Sequence, residues 1–408
     1  MRLNRRSLLA AGAATGAFAG HRRSARAQAA NTIRLGVISD LSGPYRDTTG
    51  PGSVVLTRQA VQDFGSRGFE VEVLQADHQN KPDVGANIAR QWFDQGVDVV
   101  IDLPTSSVAL AVNNVAREKN KVHLNSGAAT SDLTGAQCSP NTVHWTYDTY
   151  MLAKSTGAAI VKQGGDSWYF ITADYAFGHA LERDTANFVK GAGGKVLGAA
   201  RYPFPATTDF SAFIVQAQAS RAKVLGLANA STDTVNAIKA AREFGLQRSM
   251  KFAALLMGVV DIKSLGLESA QGLLLTEAFY WDLNDRTRAL TERVRSKNEG
   301  RPPAMVPAGC YGATLHYLKA VANLGVAQAK ASGIEAVNRM KAMPADDDAF
   351  GASTIRVDGR CLHPGYLFEV KSPGESRNPW DLYKLVATTP GEEAFRPLAE
   401  GGCSLVKT

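Results

Sequence analysis

Two clusters of small polar residues are the part of this chain best suited to hold a ligand. Thr105 and Ser106 come just after an apolar run at residues 97–101, and the segment 125–130 (Asn-Ser-Gly-Ala-Ala-Thr) follows a second run at residues 122–124. Where parallel strands end side by side, the residues that follow them meet at one edge of the sheet, where ligands bind. Hydroxyl and N–H groups at a helix start favour an anion such as a carboxylate. The same hydroxyls can equally serve only as helix caps, and the local sequence leaves both roles open.

Short motifs of catalysis or nucleotide binding do not occur in the sequence. There is no G-x-x-x-x-G-K-[ST], no H-E-x-x-H and no G-x-S-x-G. The glycine cluster at residues 191–194 follows a helical pattern rather than a strand, which indicates a turn. The histidines after the N-terminal segment occur singly, and a structural role is commoner for such histidines than metal binding. We therefore expect a protein that is not an enzyme and that uses no metal or cofactor.

The first 29 residues have the pattern of a secretory signal peptide. An arginine-rich start is followed by a weakly apolar run and by Ala-Arg-Ala at residues 25–27, a typical cleavage pattern, so cleavage is expected after Ala27 or Ala29. The segment Arg-Arg-Ser-Leu-Leu at residues 5–9 favours the twin-arginine type, with an ordinary secretory signal as the alternative.

The net charge of +7 comes mostly from this segment. Residues 1–27 hold six arginines and no acidic residue, so the charge of the remaining chain falls to +1. This removes the compositional argument for nucleic acid or an anionic membrane as a partner. No later stretch approaches the ~18 apolar residues that a membrane span needs. An exported protein without its own membrane span is expected.

Four cysteines are available for disulfides, which an exported protein can form. None has the C-x-x-C spacing typical of zinc sites. We predict a disulfide between Cys361 and Cys403, because both lie in a glycine- and proline-rich tail. The sequence does not decide between a second disulfide and buried free thiols for Cys138 and Cys310.

Apolar runs and helical patterns alternate along most of the chain, which predicts an α/β protein with parallel sheets. The series is too long for one small sheet, so two doubly wound lobes are expected. Lobe 1 is assigned residues 30–147 with about 277–350, and lobe 2 is assigned residues 148–276 with about 351–408. Several chain crossings between the lobes would form a hinge.

Several segments together resemble one known family of exported proteins. These are IRLGVISDLSGPY at 33–45, QADHQNKPDVGANIARQW at 75–92, PTSS at 104–107, NSGAATSDLT at 125–134 and DYAFGHAL at 174–181. In this order they resemble the extracellular solute-binding proteins of the leucine/isoleucine/valine-binding type. The resemblance implies a type I periplasmic binding protein fold and a monomer in the periplasm. Such a protein captures a small molecule between its lobes and delivers it to the permease subunits of an ABC importer.

The resemblance also implies which residues bind the ligand. Those expected to hold its carboxylate are Ser42, Tyr45, Thr105, Ser106, Ala128, Ala129 and Thr130. Those expected as aromatic walls are Phe177, Phe279 and Tyr280. Tyr150 and Asn229 are added, because they lie at ends of predicted elements that should face the same cleft.

One departure from the family bears on the ligand. Members that bind α-amino acids place an acidic residue just after the strand that matches residues 252–256, whereas this chain has Met257 there and no carboxylate until Asp261. A buried ammonium without a counter-charge costs several kcal/mol. We therefore expect a carboxylate without an amine, such as an aromatic or aliphatic acid, with Met257 in the pocket wall. Two alternatives stay open: Asp261 or Asp233 neutralises an ordinary branched-chain amino acid, or the protein is a ligand sensor of the same fold.

Overall fold

Lobe 1 is built on a five-stranded parallel sheet. The computed structural model describes residues 31–407, and the predicted signal peptide lies outside these residues. The strands, in spatial order β2-β1-β3-β4-β5, are β1 (Thr32–Ser39), β2 (Glu70–Asp77), β3 (Val99–Asp102), β4 (Val122–Asn125) and β5 (Thr142–His144). The connecting helices are α1 (Gly50–Phe64), α2 (Pro82–Asp94) and α3 (Ser106–Glu118). Strands β3 and β4 are buried at every position, as is typical of parallel sheets covered on both faces.

Lobe 2 repeats the arrangement with four parallel strands in the spatial order β7-β6-β8-β9. The strands are β6 (Ser167–Ala173), β7 (Lys195–Tyr202), β8 (Val224–Ala228) and β9 (Lys251–Ala254). The helices are α4 (Thr149–Leu152), α5 (Ala158–Lys162), α6 (Ala176–Gly191), α7 (Ser211–Ser220), α8 (Ser231–Glu243), α9 (Val259–Leu265) and α10 (Leu267–Ala270). The prediction of an α/β protein with two parallel-sheet lobes is confirmed.

The rest of the chain crosses between the lobes and adds two small antiparallel sheets, β10-β14-β15 and β11-β12-β13. Its helices are α11 (Asp285–Arg295), α12 (Met305–Leu324), α13 (Val326–Ala331), α14 (Gly333–Ala342) and α15 (Gly391–Ala394). Its strands are β10 (Leu274–Glu277), β11 (Ala345–Asp347), β12 (Gly351–Ile355), β13 (Cys361–Leu362), β14 (Gly365–Val370) and β15 (Tyr383–Thr389). Helix α12 returns to lobe 1, where Tyr311 donates a 2.9 Å hydrogen bond to Asp63 of α1.

The boundary that we expected at about residue 350 falls inside one of these small sheets. Strands β11 and β12 pair across it, and Arg360 forms a bridge with His144 of lobe 1. The segment that follows residue 350 therefore contacts lobe 1 before the chain reaches β14, which pairs with β10. In the described part of the chain no helix is long and apolar enough to cross a membrane.

A glycine is required where β6 turns into α6. A Cβ atom at Gly178 would lie 2.0 Å from the backbone oxygen of Ala173, a distance at which no side chain fits. The close approach lets the helix begin immediately after the strand, with Phe177 in its first turn. This explains why a glycine follows Phe177 in the sequence.

The predicted disulfide between Cys361 and Cys403 is wrong. Cys403 is bonded to Cys138 of lobe 1, and Cys310 and Cys361 are buried free thiols. The end of the C-terminal tail lies against lobe 1: Arg396 donates a 2.8 Å hydrogen bond to the carbonyl of Ser131, which brings the tail to the loop that carries Cys138.

Removing this disulfide should destabilise the protein. Cys403→Ser is expected to lower the free energy of unfolding by about 2–4 kcal/mol, because the cross-link restricts the unfolded chain. Urea unfolding followed by circular dichroism measures the change. Cys138→Ser should have the same effect, and the double variant should lose no more than either single one. A non-reduced digest that links Cys403 to a cysteine other than Cys138 would contradict the pairing.

Candidate functional site

A cleft lies between the carboxyl edges of the two parallel sheets. The space inside it is about 550 Å³ when its opening to solvent is included. Its lining residues are Tyr45, Thr48, Thr49, Pro104, Gly127, Ala129 and Tyr147 from lobe 1, Tyr175, Phe177, Ala230, Ser231, Leu256, Gly258 and Asp261 from lobe 2, and Ala304, Met305 and Val306 from the start of α12.

Helix N-termini converge on this cleft. The residues that precede α1, α6, α8 and α12 are Thr49, Tyr175, Ala230 and Ala304, and all four are lining residues. In none of these four helices does the preceding side chain cap the first N–H groups. Unsatisfied N–H groups carry partial positive charge and point out of the helix end. The cleft therefore offers an anion a favourable field from the backbone.

Asp261 is the ionisable carboxylate of the cleft. It occupies the third position of α9, where it accepts hydrogen bonds from the backbone N–H of Gly258 at 2.9 Å and from the hydroxyl of Ser231 at 3.1 Å. Burial raises its pKa to about 6, and these two hydrogen bonds act in the opposite direction. Among the described residues that line the cleft there is no lysine, arginine or histidine. Asp261 thus faces the cleft without a cationic side chain beside it.

Aromatic rings form much of the remaining wall. Tyr45 and Tyr147 come from lobe 1, and Tyr175 and Phe177 come from lobe 2. The hydroxyl of Tyr147 donates to the backbone oxygen of Gly127 at 2.8 Å, so its ring presents an apolar face to the cleft. Together with Met305, these rings suit an apolar ligand body.

The two hydroxyl clusters of the sequence bond mainly to the protein itself. Thr105 donates to Asn80, Ser106 accepts from the backbone N–H of Thr130, and Thr130 accepts from that of Asp132. The backbone of Asp102 and Leu103 has φ values of +84° and +59°, and after this turn Pro104 is the lining residue instead of Thr105. From these clusters Ala129 is in the lining, and Gly127 lies there beside it.

Other predicted site residues lie outside the cleft lining. Ser42 is exposed and donates to Asp77, Ala128 bonds to Asn125, and Asn229 accepts from Thr234. Tyr150 packs edge-on against Phe188, Phe279 lies against Phe350, and Tyr280 bonds to the backbone of Trp380 and Leu382. Met257 is fully buried between Leu256 and Gly258, both of which line the cleft. The cleft thus brings together Tyr45, Ala129 and Phe177 of the predicted set.

Several of the lining residues that were not predicted from the sequence share one signal. Thr48, Ala230, Ser231 and Gly258 each fall between the end of a parallel strand and the first turn of the next helix. Applying the strand-end rule to every βα connection would have selected them. Tyr147 lies where the chain passes from lobe 1 to lobe 2, and Ala304 directly precedes α12; neither carried this signal.

A buried carboxylate holds the Tyr45 loop in place. Asp40 accepts hydrogen bonds from the backbone N–H groups of Ser42, Gly43 and Tyr45 and from the side-chain amide of Asn80, at 2.6–3.3 Å. A Cβ atom at Gly43 would lie 2.5 Å from the amide nitrogen of Asn80 and 2.8 Å from the carboxylate oxygens of Asp40, so a larger residue there would displace these side chains. Because Thr105 also bonds to Asn80, the ends of β1, β2 and β3 are joined through one network.

Neutralising this carboxylate should be costly. Asp40→Asn is expected to lower the free energy of unfolding by about 2 kcal/mol, because hydrogen bonds to a charged acceptor are lost and an amide donor then faces N–H groups. Asp47→Asn, on the exposed part of the same loop, should change it by less than about 0.5 kcal/mol. Urea denaturation of the three proteins measures the difference, and equal effects of both substitutions would contradict the assigned role of Asp40.

Two parallel-sheet lobes with a cleft between their carboxyl edges define a solute-binding protein of the type I periplasmic binding fold. The chain belongs to the periplasmic binding protein family, whose family model matches residues 32–375. Its relatives place it among the solute-binding proteins of ABC transporters, in the leucine/isoleucine/valine-binding group. This group implies a periplasmic location and partnership with permease subunits.

Three relatives illustrate this placement. A periplasmic binding protein from Burkholderia mallei is 48% identical, with a TM-score of 0.89, and the match covers 93% of this chain and 100% of that one. A branched chain amino acid ABC transporter periplasmic ligand-binding protein from Burkholderia xenovorans is 34% identical, with a TM-score of 0.78, over 91% of this chain and 99% of that one. "Leu/Ile/Val-binding protein homolog 4" of Brucella abortus is 23% identical over 304 residues, 70% of this chain and 71% of the relative.

Proposed function

We propose that this protein captures an apolar amino acid, or a close analogue with both a carboxylate and an amine, for uptake by an ABC importer. The observation that carries the proposal is Asp261, a buried carboxylate that lines a cleft without a basic side chain among its described lining residues. Met257 cannot neutralise the ammonium group of an amino-acid ligand, but Asp261, four residues later in the chain, can. This changes the ligand class that we expected from the sequence.

The charges of the cleft match those of a zwitterion. Burial raises the pKa of Asp261 to about 6, which means that its negative charge is poorly stabilised by the cleft itself. A ligand ammonium beside Asp261 would balance this charge. A ligand carboxylate would be stabilised by the uncapped N-termini of α1, α6, α8 and α12, which need no basic side chain to attract an anion. The hydroxyls of Thr48, Thr49 and Ser231 add polar groups to the lining.

The walls of the cleft favour an apolar side chain on this ligand. Leu256, Met305 and Val306 supply aliphatic and thioether surface, and the aromatic rings supply flat surface. Burial of such a side chain contributes roughly 1.5–3 kcal/mol. The name of the Burkholderia xenovorans relative, a branched chain amino acid transporter component, agrees with this class.

An aromatic acid without an amine is the second candidate. The four rings Tyr45, Tyr147, Tyr175 and Phe177 favour a flat ligand. In that case Asp261 would bind in its protonated form and donate a hydrogen bond to the ligand. The two candidates therefore require opposite protonation states of one residue.

The pH dependence of binding separates them. An ammonium lowers the pKa of Asp261 in the complex below its free value of about 6, so affinity should rise with pH and be roughly tenfold weaker at pH 5 than at pH 7.5. An amine-free acid against the protonated carboxyl raises that pKa, so its affinity should fall as pH rises. A thermal-shift screen of the protein amino acids and substituted benzoates, followed by calorimetry at both pH values, gives the answer. Binding of benzoates alone would refute the amino-acid proposal.

Removing the charge of Asp261 gives a second test. Asp261→Asn keeps an oxygen for the N–H of Gly258 but should weaken binding of an amino acid by about 2–5 kcal/mol, because a buried ammonium loses its partner. Asp233→Asn is the control: Asp233 accepts from Tyr202 outside the cleft lining, so this change should leave affinity unaltered. Calorimetry that finds a loss for Asp233→Asn and none for Asp261→Asn would transfer the role to Asp233.

A further inference from the structure

We propose that Tyr45, Tyr175 and Phe204 form an aromatic clasp between the lobes that determines how often the cleft opens. Tyr45 belongs to lobe 1, whereas Tyr175 and Phe204 belong to lobe 2. Phe204 follows β7 and is outside the cleft lining, so it is not itself part of the ligand site. The inference goes beyond the proposed ligand class and holds for any ligand that the cleft accepts.

The first contact of the clasp joins two hydroxyl groups. The phenol oxygens of Tyr45 and Tyr175 lie 2.6 Å apart, across the boundary between the lobes. Burial raises the pKa of both phenols well above the usual value of 10, so both hydroxyls stay neutral. One donates and the other accepts, and separating the lobes must break this hydrogen bond.

The second contact is a stack of rings. The ring of Phe204 lies 4.4 Å from that of Tyr175, with an angle of 17° between the planes, and 5.4 Å from that of Tyr45, with an angle of 21°. Within lobe 2, Phe204 stacks on Tyr175, and Tyr45 of lobe 1 also packs on Phe204. When the lobes part, Tyr45 loses this contact while Phe204 and Tyr175 can keep theirs.

Polar contacts flank the rings on the same loop. The hydroxyls of Thr48 and Ser231 lie 3.3 Å apart, and Thr232 donates to the carbonyl of Pro44 at 3.2 Å. Residues 44–48 therefore supply the lobe 1 side of the clasp. The backbone N–H of Tyr45 donates a 2.9 Å hydrogen bond to the carboxylate of Asp40. Because this bond already holds the loop, residues 44–48 lose little conformational freedom when the clasp forms.

The clasp is tested by the rate at which a cysteine inside the cleft reacts with a thiol reagent. Ala129→Cys places a thiol on a lining residue that is 2% exposed, so reaction requires opening, and with fast reclosing its rate is proportional to the open fraction. The native free thiols, Cys310 and Cys361, are buried, and the chain without the added cysteine gives their background. Co-purified small molecules are first removed by unfolding and refolding with the disulfide intact, and no ligand is added.

In this background, Tyr45→Phe and Tyr175→Phe should each increase the labelling rate about 2- to 10-fold, as expected for the loss of one partly buried hydrogen bond. The double variant should react as fast as the faster single variant, because the shared bond is lost only once. Phe204→Leu should increase the rate by a similar factor that multiplies with the tyrosine effect. Tyr169→Phe, a lobe 2 tyrosine on β6 outside the lining, is the matched control and should leave the rate unchanged.

Unchanged rates in both tyrosine variants would overturn the clasp, as would an equal increase in Tyr169→Phe. A double variant whose effect is the product of the single effects would show that the hydroxyls act separately, which also contradicts it. Since no ligand enters the assay, failure of the amino-acid proposal does not affect this result.

Discussion

The cleft depends on the hydrogen bonds that one buried carboxylate accepts. Asp40 receives N–H donors from Ser42, Gly43 and Tyr45, and its link to Asn80 extends the network to Thr105. Loops that follow three adjacent strands are thereby fixed relative to one another, although none of them is regular secondary structure. A ligand site made of loops needs such a support, because an unsupported loop loses conformational entropy when it binds.

In the cleft, the positive potential comes from the backbone and the negative charge comes from a side chain. Positive potential comes from helix ends, whose N–H groups cannot be moved by a rotamer change, and negative charge comes from Asp261, which Gly258 and Ser231 orient. Fixed dipoles need no reorganisation when a ligand arrives. The described lining residues include no lysine or arginine, whose long flexible side chains would bind anions of many shapes.

The sequence predicts the two lobes well, because alternating strands and helices in parallel order allow few other folds. It predicts the cleft less well, since a threonine at a strand end reads the same whether it caps a helix, as Thr130 does, or faces a ligand. The position of Asp261 depends on where β9 ends and α9 begins, and an error of one residue in a helix turns a side chain by about 100°. Contacts between distant segments carry no local signal: Cys138 and Cys403 are 265 residues apart. Composition of the tail favoured Cys361 as the partner, whereas the path of the tail along lobe 1 decided otherwise.

The disulfide between Cys138 and Cys403 affects how the protein responds to cleavage by proteases outside the cytoplasm. Cys138 precedes the whole β6–β9 sheet of lobe 2 and Cys403 follows it, so residues 138–403 form a covalent ring. A protease that cuts one peptide bond anywhere in the ring leaves every part of the protein covalently connected. Exposed loops of the ring, such as residues 203–209, are the natural target of such a cut, and two cuts are needed before any piece of the ring can leave.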